Sequence, residues 1–317
     1  MTADRGKGLV RTLGRVALVL LGALAVFVLA HHGRDWYQQA TEYGWDLDPL
    51  LVVVSIILVL ASLLIVPAGW VMIARALGSD LQTNVLRGTW FTSQLGRYIP
   101  GKIWLFVGRA GALRSGGISS LRAASAPILE LMHTVASAGL VAFLALLLAG
   151  GPMLSSTLWT ILLVSGVLLL LLPFLRPVQK LVYRLRFGPT DREPAGLSLG
   201  DSSKVVLVYA IVWILRGISL WLWLRSLGLG DQGILLCMTA VPLSWMAGYA
   251  TFFVPGGVGV REAVIVALLA NGTSAGPLLL AVLGQRLVLG VCEVVLASLS
   301  FRSVASLIGR RGEKPIG

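Results

Sequence analysis

Phe252-Phe253-Val254-Pro255-Gly256-Gly257-Val258-Gly259-Val260-Arg261-Glu262 decides how this chain folds, because it sets a helix breaker, three glycines and two opposite charges inside apolar sequence. An unbroken membrane helix has no use for such a stretch. Pro255 cannot continue a preceding helix, the glycines relax the backbone, and a new helix can begin near Val258 with free N–H groups at the break. Arg97-Tyr98-Ile99-Pro100-Gly101-Lys102 repeats the idea in the first half. Two Pro-Gly breaks, one per half, predict a duplicated unit.

The surrounding composition places both breaks in a membrane. With 56% hydrophobic residues, 13% charged residues and a mean hydropathy of +0.86, the chain has more apolar surface than a soluble core of 317 residues can hide. The 26 Lys and Arg outnumber the 14 Asp and Glu, but they lie between apolar runs rather than in one patch. Positive-inside topology accounts for that, and no nucleic-acid partner is expected. Cys237 and Cys292 sit inside apolar segments, and His31, His32 and His133 lack zinc-site spacing. No disulfide framework, metal centre or cofactor is expected.

Taken in order, the apolar runs predict an all-α integral membrane protein of about six transmembrane helices plus two re-entrant hairpins. The first span is 16–30, preceded by Arg5, Lys7, Arg11 and Arg15 and read as a helix because no small-residue cleavage site precedes His31. The others are 50–77, 122–149, 158–175, 205–224 and 277–301. The hairpins are 84–115 around Pro100 and 234–270 around Pro255, the latter also interrupted at Pro242. Acidic 31–49 faces outward, and the basic linker 176–204 and the tail with Arg302, Arg310, Arg311 and Lys314 face the cytoplasm. Both termini are therefore expected in the cytoplasm, and the protein in the inner (plasma) membrane.

The unit span, hairpin, span occurs as 50–149 and again as 205–301 with opposite starting sides, the pattern of an inverted-topology repeat. Each broken helix presents an N-terminus toward mid-membrane, where its dipole and N–H groups favour an anion. Substrate contacts are expected from Pro100, Gly101, Lys102 and Arg109 in the first hairpin. In the second they are expected from Pro255, Gly256, Gly257, Gly259, Arg261 and Glu262. Arg109 and the Arg261-Glu262 pair can equally lie at a membrane surface. Glu130, Glu293 and Arg286, in the last helix of each unit, are coupling candidates, since a mid-span carboxylate demands a partner or a proton. Arg216 poses the same choice. His133 reads as a packed histidine rather than a proton relay, and tryptophans such as Trp221 and Trp223 as interfacial anchors.

Tyr98-Ile99-Pro100-Gly101-Lys102-Ile103-Trp104 and Phe253-Val254-Pro255-Gly256-Gly257-Val258-Gly259-Val260-Arg261-Glu262-Ala263 resemble the paired signatures of the lysylphosphatidylglycerol synthase transmembrane-region family, over roughly residues 10–305. The resemblance implies a flippase-like helical domain handling anionic lipid, with any synthase activity in a separate soluble domain; the tail beyond Phe301 is too short for one. Where the family carries an acidic-basic pair this chain reads Leu129-Glu130-Leu131, so Glu130 matches and the neighbouring Arg is absent. The expected function is translocation of an anionic phospholipid or polyprenyl-phosphate-linked sugar. The alternative is a non-transporting partner that presents a lipid-linked substrate to a glycosyltransferase or envelope-assembly enzyme. Catalysis is not expected, the nearest acid–base pair being Glu130 with His133.

Overall fold

A computed structural model describes residues 35, 38–39, 41–98, 103–149, 197–229, 232–251, 254–270 and 274–309, and all regular structure among them is helical. Helix α1 (Pro49–Ala76) starts at Asp48, whose carboxylate accepts from the N–H groups of Leu50 and Leu51, while Pro49 has no N–H to satisfy. Helix α2 (Thr83–Gln94) tightens into a 3-10 turn over Leu95–Tyr98. Helices α3 (Ile103–Ser115) and α4 (Ser120–Leu148) complete the first half. The second half comprises α5 (Leu199–Arg225), α6 (Ile234–Ala250), a 3-10 turn at Pro255–Gly257, α7 (Val260–Leu269) and α8 (Ala275–Gly309).

Four of these are long and apolar enough to cross a bilayer: α1, α4, α5 and the Ala275–Phe301 part of α8. The chain is thus helical and membrane-type. The expected spans 16–30 and 158–175, and most of the linker, lie outside the described residues. Two boundaries differ from the sequence reading. Helix α5 begins at Leu199 rather than Val205, because the Ser198 hydroxyl accepts from the Asp201 N–H at 3.1 Å and so starts the helix inside polar sequence. Pro242 does not interrupt its arm; it lies within α6, as Pro67 and Pro127 lie within α1 and α4. At 12, 13, 17 and 10 residues, α2, α3, α6 and α7 are about 15 to 26 Å long, each short of a hydrocarbon core of about 30 Å.

The central seam joins α1 to α5. Gly69 faces Tyr209, Ser62 accepts from the Arg216 Nε at 3.2 Å, and Ser55 and Ser219 exchange hydroxyl and carbonyl hydrogen bonds of 2.9 to 3.0 Å. Contacts that climb α1 while descending α5 require the two helices to run antiparallel. Helix association in lipid gains little from apolar burial, so small residues that admit close approach and hydroxyls that bond across helices carry it. A Cβ at Gly69 would lie 2.5 Å from the Tyr209 ring. One at Gly217 would lie 2.6 Å from the Met238 Cα, so α5 and α6 touch nearly backbone to backbone.

Around this seam α2 packs on α8, α6 packs on α4, and the two 3-10 turns meet each other. Buried Trp70, Ile73, Leu86, Trp90 and Leu113 form one core with Tyr209, and Leu220, Leu224, Leu269 and Leu278 form another. Gly217→Ala should cost about 1–3 kcal/mol through overpacking, read as a lowered unfolding temperature in detergent. Gly111→Ala, where a Cβ meets nothing within 4 Å, should leave that temperature unchanged or raise it.

Candidate functional site: an arginine-lined hollow between the halves

The second break is built by glycines in the left-handed region. Gly256, Gly257 and Gly259 have φ of 61°, 68° and 85°, and a Cβ at Gly257 would stand 2.9 Å from the Gly248 backbone. Two of its N–H groups are already taken. Gly257 donates to the Val254 carbonyl at 3.1 Å, and Gly259 donates to Glu262 Oε2 at 2.7 Å. The protein therefore supplies its own anion to the start of α7, where the sequence reading placed a phosphate. Glu262 in turn pairs with Arg286, which also donates to the Gly256 carbonyl at 3.0 Å. Sequence neighbours Arg261 and Glu262 do not pair with each other. Arg261 lies over Gly248, whose missing side chain makes room for it: a Cβ there would be 2.5 Å from Arg261 Cγ.

In the first hairpin Pro100, Gly101 and Lys102 lie outside the described residues. Arg97, in the 3-10 turn just before them, crosses to Glu293 on α8. Arg109 is far from any surface, only 3% exposed. Its guanidinium sits between the rings of Trp70 and Trp90 at 5.4 and 5.3 Å, donates through Nε to Ser93 at 2.9 Å, and pairs with Glu130. Glu130 also accepts from Trp90 Nε1 at 2.8 Å and lies 3.4 Å from the Tyr209 hydroxyl. The arginine missing beside Glu130 in sequence is thus supplied in space by Arg109. His133 is fully buried with Nδ1 2.7 Å from the Leu129 carbonyl, a helix-internal bond.

Each coupling candidate is therefore in an ion pair, and every pair joins a hairpin to a long helix: Arg109 to Glu130, Arg286 to Glu262, Arg97 to Glu293. None of the three pairs lies along a single helix.

Between the elements lies a hollow of about 870 Å³, its open mouth included, lined by Arg97, Arg109, Glu130, Arg216, Gly256 and Arg261 among others. A second of about 560 Å³ adjoins it toward α7 and α8. Trp213, Trp245, Arg216 and Arg261 line both, so they form the partition. The aromatic side of that partition is a cluster: Trp213 tilted against Trp245 at 5.3 Å and Trp245 stacked on Tyr249 at 5.1 Å, with Trp213 held by a 3.1 Å bond to Ser137 and Arg216 lying 5.7 Å over its ring. Sequence reasoning missed Trp213, Trp245 and Tyr249. Their only advance signal was proximity to Arg216 and to the second break.

Among the described residues, five arginines and three glutamates meet here. Arg216 donates to a serine, the buried Nε of Arg261 has no hydrogen-bond partner, and no carboxylate pairs with either among the described residues. Arg97, Arg286 and Arg216 all lie close enough to repel Arg261, and Glu293, already held by Arg97, attracts it.

Breaking the Arg109–Glu130 pair should be costly because the partner is left as a buried charge. Glu130→Gln or Arg109→Gln alone should each lose about 3–5 kcal/mol, and the double variant less than the sum, measured by denaturant unfolding in micelles as a double-mutant cycle. No protein-family model matches the chain, and no curated protein matches it significantly; the resemblance to the lysylphosphatidylglycerol synthase membrane region rests on the two Pro-Gly motifs.

Proposed function

We propose that the protein is a flippase-like translocase for an anionic membrane lipid, a phospholipid or a polyprenyl-phosphate-linked sugar. The observation that carries the reading is the position of Arg216 and Arg261. Two guanidinium groups with no paired carboxylate among the described residues stand on the partition between two adjoining hollows. An unpaired charge there is costly, and an anionic headgroup supplies what the protein withholds.

An inverted repeat would give such a site its alternating access. Three features support it. The first helices of the two halves, α1 and α5, run antiparallel along their seam. Exchange of the halves turns the α2–α8 contact into the α6–α4 contact, and both are present. The two 3-10 turns, which exchange with each other, touch. On this reading α2–α3 and α6–α7 are re-entrant hairpins, each too short per arm to span. The basic linker and tail place both termini in the cytoplasm of a cell whose plasma membrane holds the protein.

The mechanism follows from the partition. A phosphate entering the first hollow meets Arg261 and Arg216, with its apolar tail left in the bilayer. Rocking one half against the other opens the second hollow to the same pair of guanidinium groups. The cross-half Arg97–Glu293 pair must loosen in that motion, since its partners belong to opposite halves.

In proteoliposomes of mixed anionic lipid, fluorescent-lipid exchange between leaflets should fall by about tenfold or more in Arg261→Ala, the loss of one charge-assisted contact. Gly248→Ala, which displaces Arg261 without removing it, should fall in the same direction. Normal exchange in a well-folded Arg261→Ala would overturn the role. Stable capture of a glycosyltransferase with no lipid movement would favour the presenting-partner alternative.

A further inference from the structure

The charge count at the partition narrows the ligand beyond "anionic lipid", on the reading that the hollows receive a headgroup. We propose that the headgroup is a phosphate carrying two negative charges, a phosphomonoester or a diphosphate, rather than a phosphodiester carrying one; of the lipids named above this selects a phosphatidic-acid-type phospholipid or a sugar linked through a diphosphate.

Arg97, Arg109 and Arg286 are each matched one to one by Glu293, Glu130 and Glu262. These three pairs are internally neutral, and two of them are tied down by further bonds: Trp90 and Ser93 at the Arg109–Glu130 pair, and the Gly259 N–H and Gly256 carbonyl at the Glu262–Arg286 pair. The remainder among the described residues is Arg216 and Arg261, a charge of plus two facing one shared space. A monoanionic phosphodiester would leave one guanidinium uncompensated beside three other arginines. A dianion leaves none. The geometry of the two groups agrees, because they come from different elements, α5 and the start of α7, and converge on one partition rather than stacking along one helix. A phosphomonoester or diphosphate has three or more terminal oxygens to offer two forks at once.

The organic side of the site agrees too. Next to the arginines stands the aromatic cluster of Trp213, tilted against Trp245, and Tyr249, stacked on Trp245, an apolar wall suited to the first units of a prenyl chain or to a sugar face.

The test uses purified full-length protein in micelles at pH 8, where a phosphomonoester, with a second pKa of about 6, carries close to two charges. Binding of farnesyl phosphate is compared with its monomethyl ester, which has nearly the same shape and one charge, and with phosphatidylglycerol. The wild type should bind farnesyl phosphate about tenfold or more tightly than the ester. Arg216→Gln and Arg261→Gln, each leaving one uncompensated charge, should each bring the ratio close to one. Equal binding of both ligands by the wild type would overturn the two-charge assignment while leaving an anion site in place. Binding of none of the three would overturn the headgroup site itself. Inorganic phosphate, like the monoester close to doubly charged at pH 8, competing as well as farnesyl phosphate would support the two-charge chemistry and assign it to a soluble anion, overturning the lipid origin.

Discussion

A guanidinium set among apolar helices must find an anion, and among the described residues the structure is arranged around how five arginines do so. Three of them take the three available glutamates, and each pair ties a broken hairpin to a long helix. Those hairpins are short and irregular, and irregular backbone at membrane depth persists only where its polar groups are satisfied. The pairs do this work directly: Arg286 holds Glu262, Glu262 holds the Gly259 N–H, and Arg286 returns to the Gly256 carbonyl. Loss of one member would leave both a buried charge and an unsatisfied turn.

Close backbone approach is the second constraint, and it acts through glycines at a few specific contacts. Gly257 rests on Gly248, Gly248 accepts Arg261 over its face, and Gly69 admits Tyr209 toward Glu130. Side chains at these positions would not merely crowd the packing. They would move the arginine and the tyrosine that set the electrostatics of the hollow. Packing and charge are coupled here because the same residues provide both.

Much of this was legible in the sequence. The long apolar runs marked α1, α4, α5 and α8, and Pro255 with its glycines marked a break that the backbone makes with three positive φ angles. Glu130, Glu262, Glu293, Arg109 and Arg286 stood out because charges in apolar surroundings need a reason. Their partners were not legible, since the bonds join residues 21 to 196 positions apart and depend on how hairpins dock. Adjacent Arg261 and Glu262 read as a pair, yet successive residues on a helix point about 100° apart and these two serve different tasks. The break was expected to offer bare N–H groups to a phosphate. A glutamate three residues on takes the Gly259 donor, a capping pattern that glycine-rich sequence around a helix start concealed. Arg216 and Arg261 are the two arginines of this cluster left without a paired carboxylate among the described residues, and only counting spatial pairs isolates them.

The central claim is that these two guanidinium groups hold a phosphate-bearing lipid within the membrane. An experimental density map of the protein purified into nanodiscs of its native lipid tests it most directly. The account predicts phosphate density bridging Arg216 and Arg261, continuous with an acyl or prenyl tail leaving toward the bilayer. A water-filled partition, with Arg261 turned onto Glu293 and no lipid density near it, would contradict it.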